Sequence, residues 1–552
     1  MTRHPVTFTP SGRTAVVDEK ATILAAARAA GEPVPAECAG RGACGRCLVK
    51  VVGGEVPEHA VQSREAGVPL VLACQTSVCG PLTLQPLASA ELPPLLARDH
   101  HVGAAALESF SPFHLDLDPV VAPAADDDLG VVIDVGTTTL QLLLVRLRDG
   151  VVVGETGKYN PQIRRGADVV SRIVAAEKGL LADLTASVRT TLGTMIAGAS
   201  VAAAADPDCI RAYVVAGNLT MIHLLLGVDP AGIRRVPSEP EALAFEPVSA
   251  DYLGWPGSGG SAPVHTMPAA GGWVGGDIVA GLVRAGFSRE SGLGLYVDLG
   301  TNGEVALGGR DFALACACSA GPAFEGGGIR CGMRADAGAI DGARVSPDLA
   351  TMQLSVIGEA PPCGVCGSGL IALAEALWRA GWIDRAGRLS DRLPPSLRVD
   401  GEWGAGVALD AGTAVARDDG QRVVLWERDL ASLVRAKGAI FAGIRTLHRS
   451  LGDGAGPLDR VVVSGNFGRF LKLPAAVGIG LLPDLPPGRF GYVANGSLEG
   501  ATLALLSRAF RDEVAAYLRR LTYVDLSEVP GYMDEFVAAC FLPHTTPEVL
   551  RL

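Results

Sequence analysis

At 552 residues the chain is too long for a single hydrophobic core, and two to four domains are expected. Apolar residues at 48% describe a globular chain, yet no apolar run reaches 18 residues, so no membrane span is expected. The net charge, 47 − 59 = −12, argues against nucleic-acid binding, which needs basic surface to neutralise phosphates. The N-terminus lacks a basic stretch followed by an apolar one, so a cytoplasmic protein is expected.

Residues 1–88 read as a small α+β unit. HPVTFTP and RTAVV predict a strand pair turning at Ser11 and Gly12. Asp18 then caps a predicted helix over ATILAAARAA, which Gly31 ends. RCLVKVV and GPLTLQP predict two further strands. Residues 89–128, rich in proline and acidic side chains, read as a linker or small packed strap. From residue 129 onward the pattern becomes α/β. GVVIDVG, RAYVVAG, LGLYVDLG and DRVVVSGN predict strands, with helices over 167–177, Gly276–Arg284, 369–380 and 430–450 between them. A D-x-G-T element at Asp134 returns at Asp298, which predicts two related lobes, 129–297 and 298–552.

Twelve cysteines are too sparse here for a disulfide scaffold, so their local clusters point to metal or redox chemistry. Cys38, Cys44 and Cys47 are spaced C-x5-C-x2-C, and Cys74 follows after 26 further residues. A 2Fe-2S cluster needs three thiolates on one tight loop and a fourth from elsewhere. Glycines 40, 42 and 45 let that loop wrap closely and turn amides toward sulfur. Zinc more often takes two C-x2-C pairs, and only one is present. Cys79 is an alternative fourth ligand, but it reads as a buried thiol. Cys316 with Cys318 and Cys363 with Cys366 read as structural before metal-binding.

The turn after Asp134 carries Gly136, Thr137, Thr138 and Thr139 into another strand. Its hydroxyls and amides suit phosphate oxygens, and the Asp suits Mg²⁺ through water. The second copy runs Asp298, Gly300, Thr301, Asn302, Gly303, Glu304. A later turn supplies Gly465 and Gly468 to admit the adenosine of ATP. Neither a P-loop nor a G-x-G-x-x-G occurs at these places. Glu304 and Glu325 are candidates for positioning the attacking water, or are capping or paired carboxylates. Lys437 reads as a phosphate contact or a solvated helix lysine, and Arg41 and Arg46 as partner-steering or solvating charges. The paired loops resemble the ASKHA superfamily of actin, sugar kinases and heat-shock chaperones.

With CAGRGACGRC, LACQT, VIDVGTTTLQ, NPQ at 160–162, GNLTM at 217–221 and SAGPAFEGGGI at 319–329, the chain resembles the reductive activators of corrinoid proteins. The resemblance implies a β-grasp 2Fe-2S ferredoxin followed by a two-lobed ASKHA ATPase. It implies a 2Fe-2S cluster, ATP and Mg²⁺ as cofactors. It further implies one-electron delivery to Co(II) of a corrinoid protein or cobalamin-dependent methyltransferase, regenerating Co(I), with an upstream reductase feeding the cluster and a homodimer allowed. Members with a domain between ferredoxin and ATPase are longer, and here only 89–128 lies between as a reduced middle segment. Two other roles stay open: an ATP-driven electron donor to another low-potential metalloenzyme, and a nucleotide-sensing redox regulator.

Overall fold

The alternating N-terminal segments pair into a hairpin, β1 (Arg3–Phe8) with β2 (Arg13–Asp18). With β3 (Leu48–Gly53), β4 (Val61–Glu65), β5 (Val68–Leu72) and β6 (Leu82–Pro86) they form one sheet ordered β2-β1-β6-β3-β5-β4. β1 and β6 run parallel at its centre, Val6 facing Leu82 and Phe8 facing Leu84. The helix Ile23–Ala30 lays Ile23, Leu24 and Ala27 on that sheet, which is the β-grasp arrangement. The computed structural model describes residues 2–32, 34, 47–57, 60–65, 68–86, 117–300, 302–346, 348, 351–358, 361–401, 403–409, 422–452, 456–465 and 471–552.

Asp18 does not cap the helix. It closes β2 opposite Arg3, with Arg3 Nε 3.3 Å from its carboxylate, and Thr22 takes the cap by accepting from Ala25 N. Gly31 ends the helix at φ 69°, where a side chain would be strained.

The second sheet contains β7 (Leu129–Val135), β8 (Thr139–Arg146), β9 (Val152–Tyr159), β10 (Ile210–Gly217), β11 (Val248–Ser249) and β12 (Pro263–Thr266). Its order is β11-β12-β10-β7-β8-β9: an antiparallel meander continued by parallel strands. β13 (Gly294–Asp298), β14 (Glu304–Gly308) and β15 (Ala313–Ala317) repeat the meander. Two small sheets follow, formed by β16 (Ala339–Val345), β17 (Met352–Val356) and β18 (Gly364–Val365), and by β19 (Arg398–Gly401), β20 (Gly404–Ala408) and β21 (Val424–Trp426). β22 (Arg460–Ser464), β23 (Phe490–Val493) and β24 (Leu521–Tyr523) complete the third large sheet, ordered β23-β22-β13-β14-β15-β24. The shared core β9-β8-β7-β10-β12 and β15-β14-β13-β22-β23 is the structural form of the repeated D-x-G-T motif.

Between the two sheets cross the helices Gly276–Arg284 and Gly496–Leu506, whose side chains share one apolar cluster with Val132, Val145, Ala306 and Val462. Glycines make the crossing close: a Cβ at Gly500 would lie 2.6 Å from Ala280 O, and one at Gly496 3.0 Å from Gly281 Cα. Asp118 N and Val120 N donate to Leu506 O and Leu505 O, so the described part of the 89–128 segment is a packed strap. Among the described residues no helix is long and apolar enough to cross a membrane.

Candidate functional site

Asp134, one residue before the end of β7, and Asp298, at the end of β13, both line one cleft of about 210 Å³ between the lobes. The cleft takes Asp134, Gly136, Thr137 and Thr138 from one loop and Asp298, Gly300, Asn302 and Glu304 from the other, with Glu325 and Gly465 also on its wall. Thus the described residues expected from the two loops, the late glycine turn and the two candidate glutamates come together at Asp134, Gly136, Thr137, Thr138, Asp298, Gly300, Asn302, Glu304, Glu325 and Gly465, whereas Lys437 stands apart. Thr301 and Gly468 lie outside the described residues.

The first loop is held from behind. A Cβ at Gly136 would lie 2.6 Å from Thr139 O, so the turn admits only glycine there. Asn160 Nδ2 donates to Gly136 O (2.8 Å), Asn160 N to Thr138 O (2.9 Å), and Asn218 Nδ2 to Thr137 Oγ1 (3.0 Å). Arg172, fully buried, donates to Thr137 O (2.6 Å) and Gly166 O (3.0 Å); burial pulls its guanidinium down to about 9. Asp134 accepts from Ser497 Oγ (2.8 Å) and Asn495 Nδ2 (3.1 Å), at the start of the helix Gly496–Leu506. In the second loop Leu299 N donates to Ser464 O, and Gly465 turns at φ 99°.

Sequence reasoning missed Asp277. It stands in the first turn of the helix Gly276–Arg284, on the wall of the cleft, with Oδ1 accepting from Ile278 N. The Gly275-Gly276-Asp277 helix start is the only local signal it offered. Asn218, Asn495 and Ser497, each at or near a helix start, were likewise given no role.

Five carboxylates therefore line the cleft, and no lysine or arginine does among its described lining residues. Burial, then the Asp134 charge, pushes Asp277 up to about 7. Burial, with Asp134 adding to it, pushes Asp298 up to about 6. Burial and the charges of Asp277 and Asp298 hold Glu304 well above the usual carboxylate range. Asp134 is raised by burial against its two side-chain hydrogen bonds. Like charges crowded together by burial in this way mark a site suited to a compensating charge. Among the described residues no three His, Cys, Asp or Glu converge closely enough to ligate a metal directly.

In the ferredoxin unit Cys47 and Cys74 are buried side by side, and Cys74 N donates to Cys47 Sγ at 3.4 Å. Cys38, Cys44, Arg41 and Arg46 lie outside the described residues. Cys79 is exposed, not buried as expected. It follows the isolated bridge at Ser77, beyond the turn that folds Cys74 inward. Lys437 is neither solvated nor on the cleft wall: it is fully buried and donates to Pro543 O (2.5 Å) and Gly480 O (3.4 Å). Cys363 and Cys366 turn apart, toward Met333 Sδ and Ile340 O respectively.

Residues 6–79 match a 2Fe-2S iron-sulfur cluster binding domain. Residues 129–290 match the RACo middle region, and 292–551 the C-terminal domain of RACo, the ASKHA domain. Corrinoid activation enzyme RamQ of Eubacterium limosum is 30% identical over 421 residues, covering 74% of this chain and 69% of that protein. The chain belongs to the RACo family. A second relative, the [Co(II) methylated amine-specific corrinoid protein] reductase of Methanosarcina barkeri, is 24% identical over 271 residues, 45% of each chain. A solved structure described as a reductive activator for corrinoid, iron-sulfur protein is 33% identical, covers 99% of each chain and superposes with a TM-score of 0.71. The RACo middle region falls on the first lobe and not on the 89–128 segment.

Proposed function

We propose that this RACo-family chain is an ATP-dependent reductive activator, delivering one electron from a 2Fe-2S cluster to Co(II) of a corrinoid protein or cobalamin-dependent methyltransferase. The observation that carries the reading is the joining, in one chain of this family, of a buried thiol pair with a two-loop, carboxylate-lined cleft.

Cys38, Cys44, Cys47 and Cys74 would hold the cluster, which supplies one-electron chemistry when bound. Two of those thiols fit, since they are buried together and an amide points at sulfur, as a thiolate requires. Thr137, Thr138, Thr301, Asn302 and the amides at Gly136 and Gly300 would bind phosphate oxygens. Gly465 and Gly468 leave room for adenosine. Asp134 and Asp298 would orient Mg²⁺-bound water.

Asp277, poised near 7, is suited to orient the attacking water and accept its proton at neutral pH. Glu304, whose carboxyl is pushed up by burial and by the charges of Asp277 and Asp298, and Glu325 remain further candidates for positioning that water. The electron reduces Co(II) to Co(I) without a proton, while ATP and water give ADP and phosphate. Hydrolysis can drive release of the partner only if the two nucleotide states hold it with different affinity. An upstream reductase would refill the cluster.

Reduced protein, Mg²⁺ and ATP are mixed with a Co(II)-corrinoid protein and the Co(I) absorbance is followed. Co(I) should appear with ATP, vanish in Cys44→Ser and persist in Cys79→Ser. No Co(I), or Co(I) formed equally well by Cys44→Ser, would sink the reading. ATP hydrolysis without Co(I) would favour another low-potential acceptor, and undetectable hydrolysis a redox regulator.

A further inference from the structure

Six residues, 159–164, stand where three parts of the molecule meet. Asn160 binds the first phosphate loop at Gly136 O and Thr138 O, and Tyr159 pairs with Thr139 at the loop's far end. The guanidinium of Arg334, from the second lobe, lies 4.3 Å from the centre of the Tyr159 ring. Arg164, which ends the short 3-10 helix Pro161–Arg164, donates from Nη1 to Gly31 O of the ferredoxin at 2.6 Å. Buried Arg172 bonds both the loop carbonyl of Thr137 and the side chain of Gln162 (3.3 Å), so loop and turn have to move together.

The ferredoxin side of the contact is equally well placed. Gly31 ends the helix Ile23–Ala30, where unpaired carbonyls and the helix dipole favour a cation. The same carbonyl accepts from Arg13, and Glu32 next to it is buried and bonded by Ser11 Oγ (2.7 Å). At its other end this helix is tied to the cluster ligands, because Leu24 N donates to Ala73 O (2.7 Å), one residue before Cys74. One helix and one turn thus separate Cys74 from the phosphate loop.

We propose that the 159–164 turn is the docking element for the ferredoxin domain, and that nucleotide in the cleft changes how firmly Arg164 holds Gly31. This rests on the nucleotide reading of the cleft made above. The loop that would bind phosphate, the lobe that would close on it and the domain that carries the cluster all bear on the same six residues. Any shift of the loop on binding is passed to Arg164 through Asn160 and Arg172. By linkage, docking must then change nucleotide affinity by the same factor that nucleotide changes docking, within the range of about 5- to 150-fold usual for such coupling.

The test is hydrogen exchange on the full-length, cluster-loaded protein, nucleotide-free, with Mg-ADP, and with a non-hydrolysable Mg-ATP analogue. Calorimetry on the same samples establishes that nucleotide is bound. Exchange over 27–32 should differ by about threefold or more between nucleotide states. The difference should persist in Arg13→Ala, which loses only contacts within the ferredoxin, and disappear in Arg164→Ala and in Arg164→Gln, which stays polar but is uncharged and shorter. Both Arg164 variants should retain the cluster spectrum and bind the analogue. Bound nucleotide with no change over 27–32 in the wild type overturns the proposal, as does a response that survives the loss of Arg164. Calorimetry showing no nucleotide binding at all would instead remove the reading on which it rests.

Discussion

At the scale of single residues, the cleft is expensive to keep charged. Asp298 and Asp277 hold protons in the folded chain up to about 6 and about 7, whereas unfolded aspartates release them near 3.8. Between roughly pH 4 and 7 the folded state therefore binds more protons than the unfolded, and stability falls as pH rises through that window. Asp277→Asn removes its share of the fall while keeping an acceptor for Ile278 N. In the absence of nucleotide, the variant should be more stable than wild type at pH 8 by about 1 kcal/mol or more, melting higher there, and nearly match it at pH 4. Its ATP hydrolysis should drop by about 10²-fold or more. Thermal melts at the two pH values and a phosphate-release assay check both, and hydrolysis at the wild-type rate would remove Asp277 from the mechanism.

Among elements, the crossing of the helices Gly276–Arg284 and Gly496–Leu506 positions Asp277 and the Asn495–Ser497 contacts to Asp134 from one packed joint. Alanine normally favours a helix over glycine by about 1 kcal/mol. At Gly500 the added methyl would meet the backbone carbonyl of Ala280 at 2.6 Å, which cannot yield as a flexible side chain would. Overpacking of that kind costs about 1–3 kcal/mol and outweighs the propensity gain. Gly500→Ala should therefore destabilise in chemical denaturation, whereas Gly198→Ala should stabilise by up to about 1 kcal/mol. Gly198, in the helix Leu181–Ala202, is exposed and has nothing within 4 Å of where its Cβ would stand.

For the whole molecule, the two lobes are joined by one shared core under a cleft crowded with carboxylates. A ligand that binds only the folded state stabilises it by about 2.7 kcal/mol at a hundred times its Kd. Mg-ATP should raise the melting temperature more than the same nucleotide with the metal chelated, because carboxylates crowd the cleft while no side-chain cation is among its described lining residues. Equal shifts with and without Mg²⁺, read by scanning calorimetry, would count against a metal-bridged nucleotide.

Local signals fixed much of this protein from the chain alone. Unbroken apolar runs marked β7, β10, β13 and β22, because parallel strands covered on both faces need them. Glycine at position 31, at a φ of 69°, marked a helix end, and two D-x-G-T turns marked both loops that line the cleft. Cysteine spacing singled out the thiol pair Cys47 and Cys74 in the same way. What sequence could not supply was anything set by partners far apart in the chain. Asp277 is drawn in by loops more than a hundred residues away along the first lobe and by the crossing helix of the second. Lys437 is buried because the carbonyls of Gly480 and Pro543 converge on it. Thr22 displaced Asp18 as helix cap because strand pairing with Arg3 had already claimed the aspartate. Periodicity and turn chemistry act over a few residues and are legible in order. Burial, like-charge crowding and the meeting of Arg164 with Gly31 depend on which distant segments pack together, and only the tertiary structure decides that.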